Sequence, residues 1–286
     1  GVTAVEGTRT EADRAVVLRD GPHTWTVPVA GPTVQGGPEV LLSEDEELLA
    51  AVDPGGVGYV VAGFLGPSEF DVVRGCVTQV VATALAEVGV EVPPTFRLDR
   101  YHEVVPDDAH RALFARTGGH HDFDLLAAAG VGPELVADRV SRILGTSLRC
   151  FPIPGRALPF GVRIVRPGSS DNNPPHRDVW LAHLRNTVSA YVPVAGSTAR
   201  SSLTLVPRSH REPESTYERT VAGAVSAGVS YSVPAVAGGP VPLDVVRPDP
   251  AQGEILLFSP YLVHGGARNL EPATTRVSLE LRFERV

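Results

Sequence analysis

Methionine is absent from the 286 residues, cysteine and tryptophan occur twice each, and aromatic residues make up only 6%. The two cysteines, Cys76 and Cys150, form no Cys-x-x-Cys and have no histidine at zinc spacing, which excludes a disulfide framework and a zinc-ribbon type site. They read as reduced, half-buried structural thiols. No stretch approaches the ~18 uninterrupted apolar residues of a membrane-spanning helix. Basic runs are missing too: Lys plus Arg is 25 against 33 for Asp plus Glu, a net charge of −8. That balance argues against a general nucleic-acid partner and against an anionic membrane surface. The opening carries Glu6, Arg9, Glu11, Asp13 and Arg14 where a secretory signal needs an apolar stretch, so a cytoplasmic protein is expected.

What the chain has in excess is Gly (29) and Pro (26), unperiodic and spread along its length. With 43% hydrophobic residues this is globular composition with many turns, and many turns imply many short strands. The first 56 residues read as an N-terminal arm with strands, including His23 to Val29 and a Pro/Gly-rich surface stretch from Pro28 to Pro38. Residues 57–146 read as a strand, Gly58-Tyr-Val-Val-Ala-Gly-Phe-Leu65, plus supporting helices at 67–88, 107–116, 121–129 and 133–144. Pro67 and Glu69 are the opening signals of the first helix. From about Ser147 short β-branched runs take over, with strands expected at 147–151, 160–166, 186–194, 201–206, 241–247, 253–258 and 275–284. A polar insertion at about 211–240 has the length of a lid. The whole is expected to be one catalytic domain, α+β but mainly β.

Alternation fixes which residues share a face. Thr187, Ser189 and Tyr191 lie opposite Val188, Ala190 and Val192, and Arg276, Ser278, Glu280 and Arg282 lie opposite Val277, Leu279, Leu281 and Phe283. The expectation is a barrel whose apolar outer face is covered by the N-terminal helices and whose polar face lines a cavity.

The sharpest local feature is Pro174-Pro175-His176-Arg177-Asp178-Val179-Trp180. On a strand His176 and Asp178 point the same way while Arg177 turns away, which supplies two ligands of a 2-His-1-carboxylate site. His120-His121-Asp122 spells the same triplet, but it follows two glycines and precedes a helix, so a helix cap is the expectation there. A third ligand must come from another strand, and His264, followed by Gly265-Gly266, stands at a strand end where backbone passes close to a ligand. Twelve residues later, Arg276-x-Ser278 offers a planar fork beside a hydroxyl, suited to a carboxylate. His183 and His210 are left over once three ligands are in place. The donor set by itself also suits a zinc-dependent hydrolase or a cupin-like isomerase, and a jelly roll that only binds stands as an alternative of another class.

Taken together, His176-x-Asp178, His264 and Arg276-x-Ser278 resemble the signature of Fe(II)/2-oxoglutarate-dependent oxygenases, in particular the phytanoyl-CoA dioxygenase-like branch. Gly58 to Leu65, Val206-Pro207-Arg208-Ser209-His210 and Gly253-Glu254-x-x-x-Phe258 are similar to it as well, with Arg208 where that family has a turn glycine. The resemblance spans roughly Gly58 to Phe283. It implies a double-stranded β-helix (jelly roll, cupin-like) core buttressed by N-terminal helices. It implies Fe(II) on His176, Asp178 and His264. 2-Oxoglutarate would be the co-substrate, held by Arg276 with Ser278 and helped by Ser189 and Thr187, and O₂ would be the oxidant. Trp180, Arg163 and Tyr191 would then border a small-molecule substrate, most naturally a specialised metabolite. A carboxylate at Asp178, where related halogenases carry a small residue, implies hydroxylation or a related oxidation. Nothing in the sequence fixes the oligomeric state.

Overall fold

The computed structural model describes residues 14–153, 159–170 and 173–286; the charged opening stretch at 1–13 lies outside the described residues. In chain order the elements are β1 (Ala15–Asp20), β2 (His23–Pro28), β3 (Thr33–Gln35), α1 (Glu46–Ala50), β4 (Tyr59–Gly63), α2 (Pro67–Glu87), α3 (Tyr101–Val104), α4 (Asp107–Thr117), α5 (Asp124–Ala128) and α6 (Pro133–Leu144). They continue with β5 (Leu148–Cys150), β6 (Gly161–Val165), β7 (Val188–Ala195), β8 (Glu218–Thr220), β9 (Ala224–Ser226), β10 (Val229–Tyr231), β11 (Val236–Gly238), β12 (Leu243–Asp244), β13 (Glu254–Phe258) and β14 (Arg276–Arg285).

Helix α2 begins where the sequence stops it from beginning earlier. Pro67 takes the first position, and the Glu69 side chain turns back to accept from the Gly66 N–H at 2.9 Å. Its buried residues Phe70, Val73, Val77, Val80, Val81, Ala84 and Leu85 recur at helical spacing, each gaining about 1.5–3 kcal/mol from full burial when large. Glu69 also receives both terminal nitrogens of Arg139, at 3.0 and 2.9 Å, which pins α6 against α2. Helices α4 and α6 end on Gly118 and Gly145, both in the left-handed region with φ of 57° and 69°.

The helices cover one face of an antiparallel sheet ordered β4-β13-β7-β14-β5, with β6 also paired to β14. Ile255, Leu257, Val188, Ala190, Val192, Val277, Leu279, Leu281 and Phe283 share one apolar core with the α2 and α6 residues. The alternate residues face the other way, into the barrel, as the period-two pattern requires.

The second layer is built from single bridges rather than long strands. His176 pairs with His264, His264 with Leu205, and Leu205 with Val246; β12 then pairs parallel with β1, and β1 antiparallel with β2. The two layers enclose one interior and make the expected double-stranded β-helix.

Several boundaries differ from expectation. Strand β1 is not among the expected strands; it completes a hairpin whose Trp25 is buried and donates to the Gly266 carbonyl at 2.8 Å. The Pro28 to Pro38 stretch is not a free surface arm, because β3 within it pairs with β8 of the insertion. The strands expected at 201–206 and 241–247 shrink to a bridge at Leu205 and the two residues of β12, since barrel curvature breaks long pairing. The helix expected at 121–129 is confined to α5. Arg208, at the position where a glycine is expected, sits at φ 67°, a left-handed turn held by a non-glycine residue. The insertion is ordered as the β9–β10 hairpin and the sheet β11-β8-β3.

Candidate metal centre and substrate cavity

His176 and His264 face each other across the second layer and exchange both backbone hydrogen bonds, His176 N–H to His264 O at 2.9 Å and the reverse at 3.0 Å. That register puts both imidazoles on the same inner face. Close approach of the two chain segments needs Gly265 (φ 95°) and Gly266 (φ 70°): a Cβ on Gly266 would stand 2.7 Å from Pro175 Cδ. Asp178 opens a short turn of 3₁₀ type, Asp178–Trp180, and brings its carboxylate back beneath the two rings. Ligand atoms of His176, Asp178 and His264 all lie within 4.8 Å of one another, and all three residues are buried. Among the described residues no other His/Cys/Asp/Glu group has this geometry.

Hydrogen bonding fixes the orientation of each donor. His176 Nδ1 donates to the Pro174 carbonyl at 2.8 Å, and His264 Nδ1 donates to the Leu262 carbonyl at 2.9 Å. With Nδ1 carrying the hydrogen, both Nε2 atoms present lone pairs, and both point at Asp178 Oδ1, at 3.1 and 3.5 Å. Three electron-pair donors around one point need a cation among them, either a proton on an imidazole or a metal ion. In the protein alone, burial lowers the His176 imidazole and His264 adds to the effect. Burial also opposes charge on His264, but Asp178 outweighs it and raises that group. Burial would raise the Asp178 carboxyl; the Arg282 guanidinium first, then His264 and His176, hold it well below the usual range.

Arg282 is a residue the sequence placed on the inner face without giving it a role. It stands directly opposite Ser189 in the β14–β7 register, and both reach Asp178 Oδ2: Ser189 Oγ at 2.9 Å, Arg282 Nε at 3.2 Å and its terminal nitrogen at 3.1 Å. The signal that could have found it was the continued alternation Arg276, Ser278, Glu280, Arg282.

Arg276 is fully buried on the same face. Its Nε donates to the Ser201 carbonyl at 2.9 Å, a terminal nitrogen donates to Ser278 Oγ at 3.0 Å, and the guanidinium lies 5.4 Å from the centre of the Tyr191 ring. Tyr191 shares its hydroxyl with Ser197 at 2.7 Å. Nearby Arg247 is pushed down to about 10, by burial first, with Arg276 also contributing. Arg247 is ion-paired with Asp20 at 3.2 Å and donates to the Ser202 and Arg268 carbonyls, so it serves the fold, whereas a buried planar fork such as Arg276 suits a carboxylate.

The other expected residues are placed as follows. Thr187 donates to the Leu184 carbonyl at 2.7 Å and closes the turn before β7. Trp180, expected to border the substrate, ends the turn that starts at Asp178 and lines neither cavity beside the metal residues; its Nε1 donates to Glu214 Oε2 at 2.9 Å. Arg163 lies on a cavity wall and is ion-paired with Glu280 at 3.0 Å. In the second His-x-Asp triplet, Asp122 Oδ1 accepts from the Asp124 N–H at 2.9 Å in a turn just ahead of α5; the N-cap is Phe123 with no side-chain cap bond, so the cap expected at His121-Asp122 is not formed there. His210 pairs with Asp53 at 3.0 Å, away from the cluster.

A cavity of about 820 Å³ opens over His176, Asp178 and Arg282. Its walls come from α4 (His110, Phe114), the segment around Phe151, the turn bearing His183, and Gly228 to Val233 of the insertion. A narrow second space of about 30 Å³, lined by Ser189, Tyr191, Leu203 and Phe258, adjoins the same cluster on its other side.

His110 on the cavity wall accepts from or donates to Tyr101 OH at 2.8 Å and is pushed down to about 4, by burial first and by Arg166 and Arg111 against the opposing Asp107. The imidazole is therefore neutral in the fold at pH 7. Between about 6.5 and 4 the unfolded chain takes up a proton that the folded chain refuses, so this group's contribution is intact above 6.5 and lost as pH falls toward 4. Up to about 3 kcal/mol is at stake. His110→Gln is expected to flatten that part of the acid limb: the loss of urea stability between pH 7 and 4.5 should be smaller than in the wild type, and an equal loss would contradict it.

No family model and no curated protein matches the chain. Among solved structures it is similar to EctD from S. alaskensis with 2-oxoglutarate and 5-hydroxyectoine, at 16% identity over 89% of this chain and 84% of that one, TM-score 0.46. It is similar to AviO1 from Streptomyces viridochromogenes Tue57, at 15% identity over 85% and 96%, TM-score 0.45. It is also similar to the non-heme alpha ketoglutarate dependent epimerase SnoN from nogalamycin biosynthesis, at 16% identity over 85% and 84%, TM-score 0.40.

Proposed function

We propose that the protein is a non-heme Fe(II)/2-oxoglutarate-dependent oxygenase that oxidises a C–H bond of a small molecule, with release of succinate and CO₂. The observation that carries this reading is the convergence of His176 Nε2, His264 Nε2 and Asp178 Oδ1 with both Nδ1 atoms occupied by backbone carbonyls. Two imidazoles and one carboxylate oxygen on one side of a cation are the donor set of non-heme iron with open positions. When bound, Fe(II) with 2-oxoglutarate and O₂ supplies the oxidising equivalents; the chain supplies placement and exclusion of competing reactions.

Arg276 holds the distal carboxylate of 2-oxoglutarate, with Ser278 fixing one terminal nitrogen of its guanidinium. A charge-assisted fork of this kind orients the co-substrate as well as attracting it. Tyr191, Leu203 and Phe258 line the narrow space beside the metal residues, and the Arg276 guanidinium stands over the Tyr191 ring. The substrate enters the larger cavity, whose volume and mixed aromatic and polar lining suit a molecule bigger than an amino acid, and the reading extends to a specialised metabolite. Among the described residues no helix is long and apolar enough to cross a membrane. A zinc hydrolase would use the same three donors but would have no use for Arg276 beside Ser278.

Anaerobic addition of Fe(II) and then 2-oxoglutarate is expected to produce a visible metal-to-ligand charge-transfer band that Fe(II) alone does not give. Iron demonstrably bound with no band on adding 2-oxoglutarate would refute the co-substrate, and zinc retained through purification with hydrolytic activity would favour the hydrolase.

A further inference from the structure

Resting on the metal-centre reading above, we infer that Arg282 and Ser189 are positioning residues that restrict Asp178 to one coordinating oxygen. The two carboxylate oxygens are treated differently by the fold. Oδ1 faces His176 Nε2 and His264 Nε2. Oδ2 faces three donors, the Ser189 hydroxyl and two nitrogens of Arg282, all within 3.2 Å. A carboxylate oxygen has about two lone-pair sites, so three donors saturate Oδ2. No lone pair remains there for a cation, and only Oδ1 can coordinate.

The restraint is rigid because it comes from the sheet. Arg282 and Ser189 are cross-strand partners on the two best-paired strands, and Asp178 lies across the barrel interior from them. Asp178 and Ser189 are buried, and the Arg282 side chain, about one third exposed, lines both the large cavity and the narrow one. Arg282 therefore stands where metal residues, co-substrate space and substrate cavity meet.

Denticity decides how many positions are left on a six-coordinate ion. A one-oxygen Asp178 with two imidazoles leaves three open, enough for a chelating co-substrate and one further ligand. Freed from its donors, Oδ2 can swing onto the ion and take one of these. Charge works in the same direction. Removing the Arg282 cation takes a repulsive charge away from a divalent ion and leaves Asp178 more strongly anionic, so loss of Arg282 does not weaken the metal; it consumes an open position.

The test uses the full chain loaded with Mn(II), with water-proton relaxation reporting the number of exchangeable waters on the ion. The wild type should hold about three waters, and Arg282→Gln about two, a fall of roughly one third in inner-sphere relaxivity with Mn(II) affinity unchanged or tighter. Arg282→Lys keeps a cation on Oδ2 and should stay near the wild-type count, and Ser189→Ala should fall between. In the anaerobic Fe(II) form, Arg282→Gln should need at least tenfold more 2-oxoglutarate to develop the charge-transfer band. A wild-type water count in Arg282→Gln, or Mn(II) affinity reduced in it and restored by no conservative variant, overturns the assignment. Asp178→Ala separates the two levels: if it binds Mn(II) as tightly as the wild type, the metal-centre reading itself fails, whereas lost binding there with an unmoved Arg282→Gln refutes only the role of Arg282.

Discussion

Asp178→Ala and His264→Ala are each expected to reduce iron-dependent succinate formation to background, by more than the ~100-fold that loss of a residue supporting a metal ligand typically costs. The reason is visible in the charge arrangement. Among the described residues Asp178 is the only carboxylate paired with the two Nε2 atoms, and it is also the partner of Arg282. Without it, two buried imidazoles and a guanidinium surround the point where a dication must sit. Without His264, Nε2 of His176 and Oδ1 of Asp178 remain, too few to hold a labile divalent ion in competition with water. Metal content after anaerobic loading and desalting checks this directly. A second check is thermal: at 100-fold excess over its dissociation constant a bound ion stabilises the fold by about 2.7 kcal/mol, and neither variant should show that increment. His121→Ala is the control, because the 120–122 triplet lies in the turn before α5 and is not part of the His176–Asp178–His264 group. Loss of metal in His121→Ala with retention in His264→Ala would reverse the choice between the two triplets.

The parts of this site that were legible in the sequence are those governed by short-range periodicity. Alternation along 276–283 put Arg276, Ser278, Glu280 and Arg282 on one face, and the β14 register places them inside the barrel while Val277, Leu279, Leu281 and Phe283 pack under α2 and α6. Pro67, Pro133, Gly118 and Gly145 mark helix ends because their backbone chemistry is local. Residues that depend on pairing between distant segments were not legible. That Ser189 lies opposite Arg282 is a property of register, and no feature within either strand reports it. Trp180 illustrates the same limit: it ends a turn of three residues per revolution in place of a strand, and its ring nitrogen meets Glu214. The second layer is held by bridges of one residue pair, below the length at which alternation gives a pattern, so the strand expected at 201–206 is reduced to the bridge residue Leu205.

The second large effect is on stability and comes from Arg177, the residue between the two ligands. Its side chain is 1% exposed and forms a buried ion pair with Glu214, whose other oxygen accepts from Trp180 Nε1. Arg177 also donates to the Ser209 carbonyl at 2.6 Å, and its guanidinium lies 5.2 Å from the centre of the Tyr217 ring. Arg177→Ala strands the Glu214 carboxylate in the interior with one neutral donor, which costs about 3–5 kcal/mol. For a chain of this size that corresponds to a fall in melting temperature of roughly 10 °C. The paired change Arg177→Met with Glu214→Leu removes both charges and fills the volume, and should recover most of the loss; a single variant melting within 2 °C of the wild type would contradict the buried pair. The consequence extends to the site. The 209–217 turn that Arg177 holds leads into the insertion, and the insertion's far end is tied by the Val236 N–H to the Pro175 carbonyl at 2.7 Å, one residue before His176. Both ends of the segment that carries Gly228 to Val233 to the cavity wall are thus fastened to the same few residues that carry the metal ligands. Arg177→Ala should therefore speed proteolytic cleavage within 218–235 and loosen metal binding together, where a purely local ion pair would change neither.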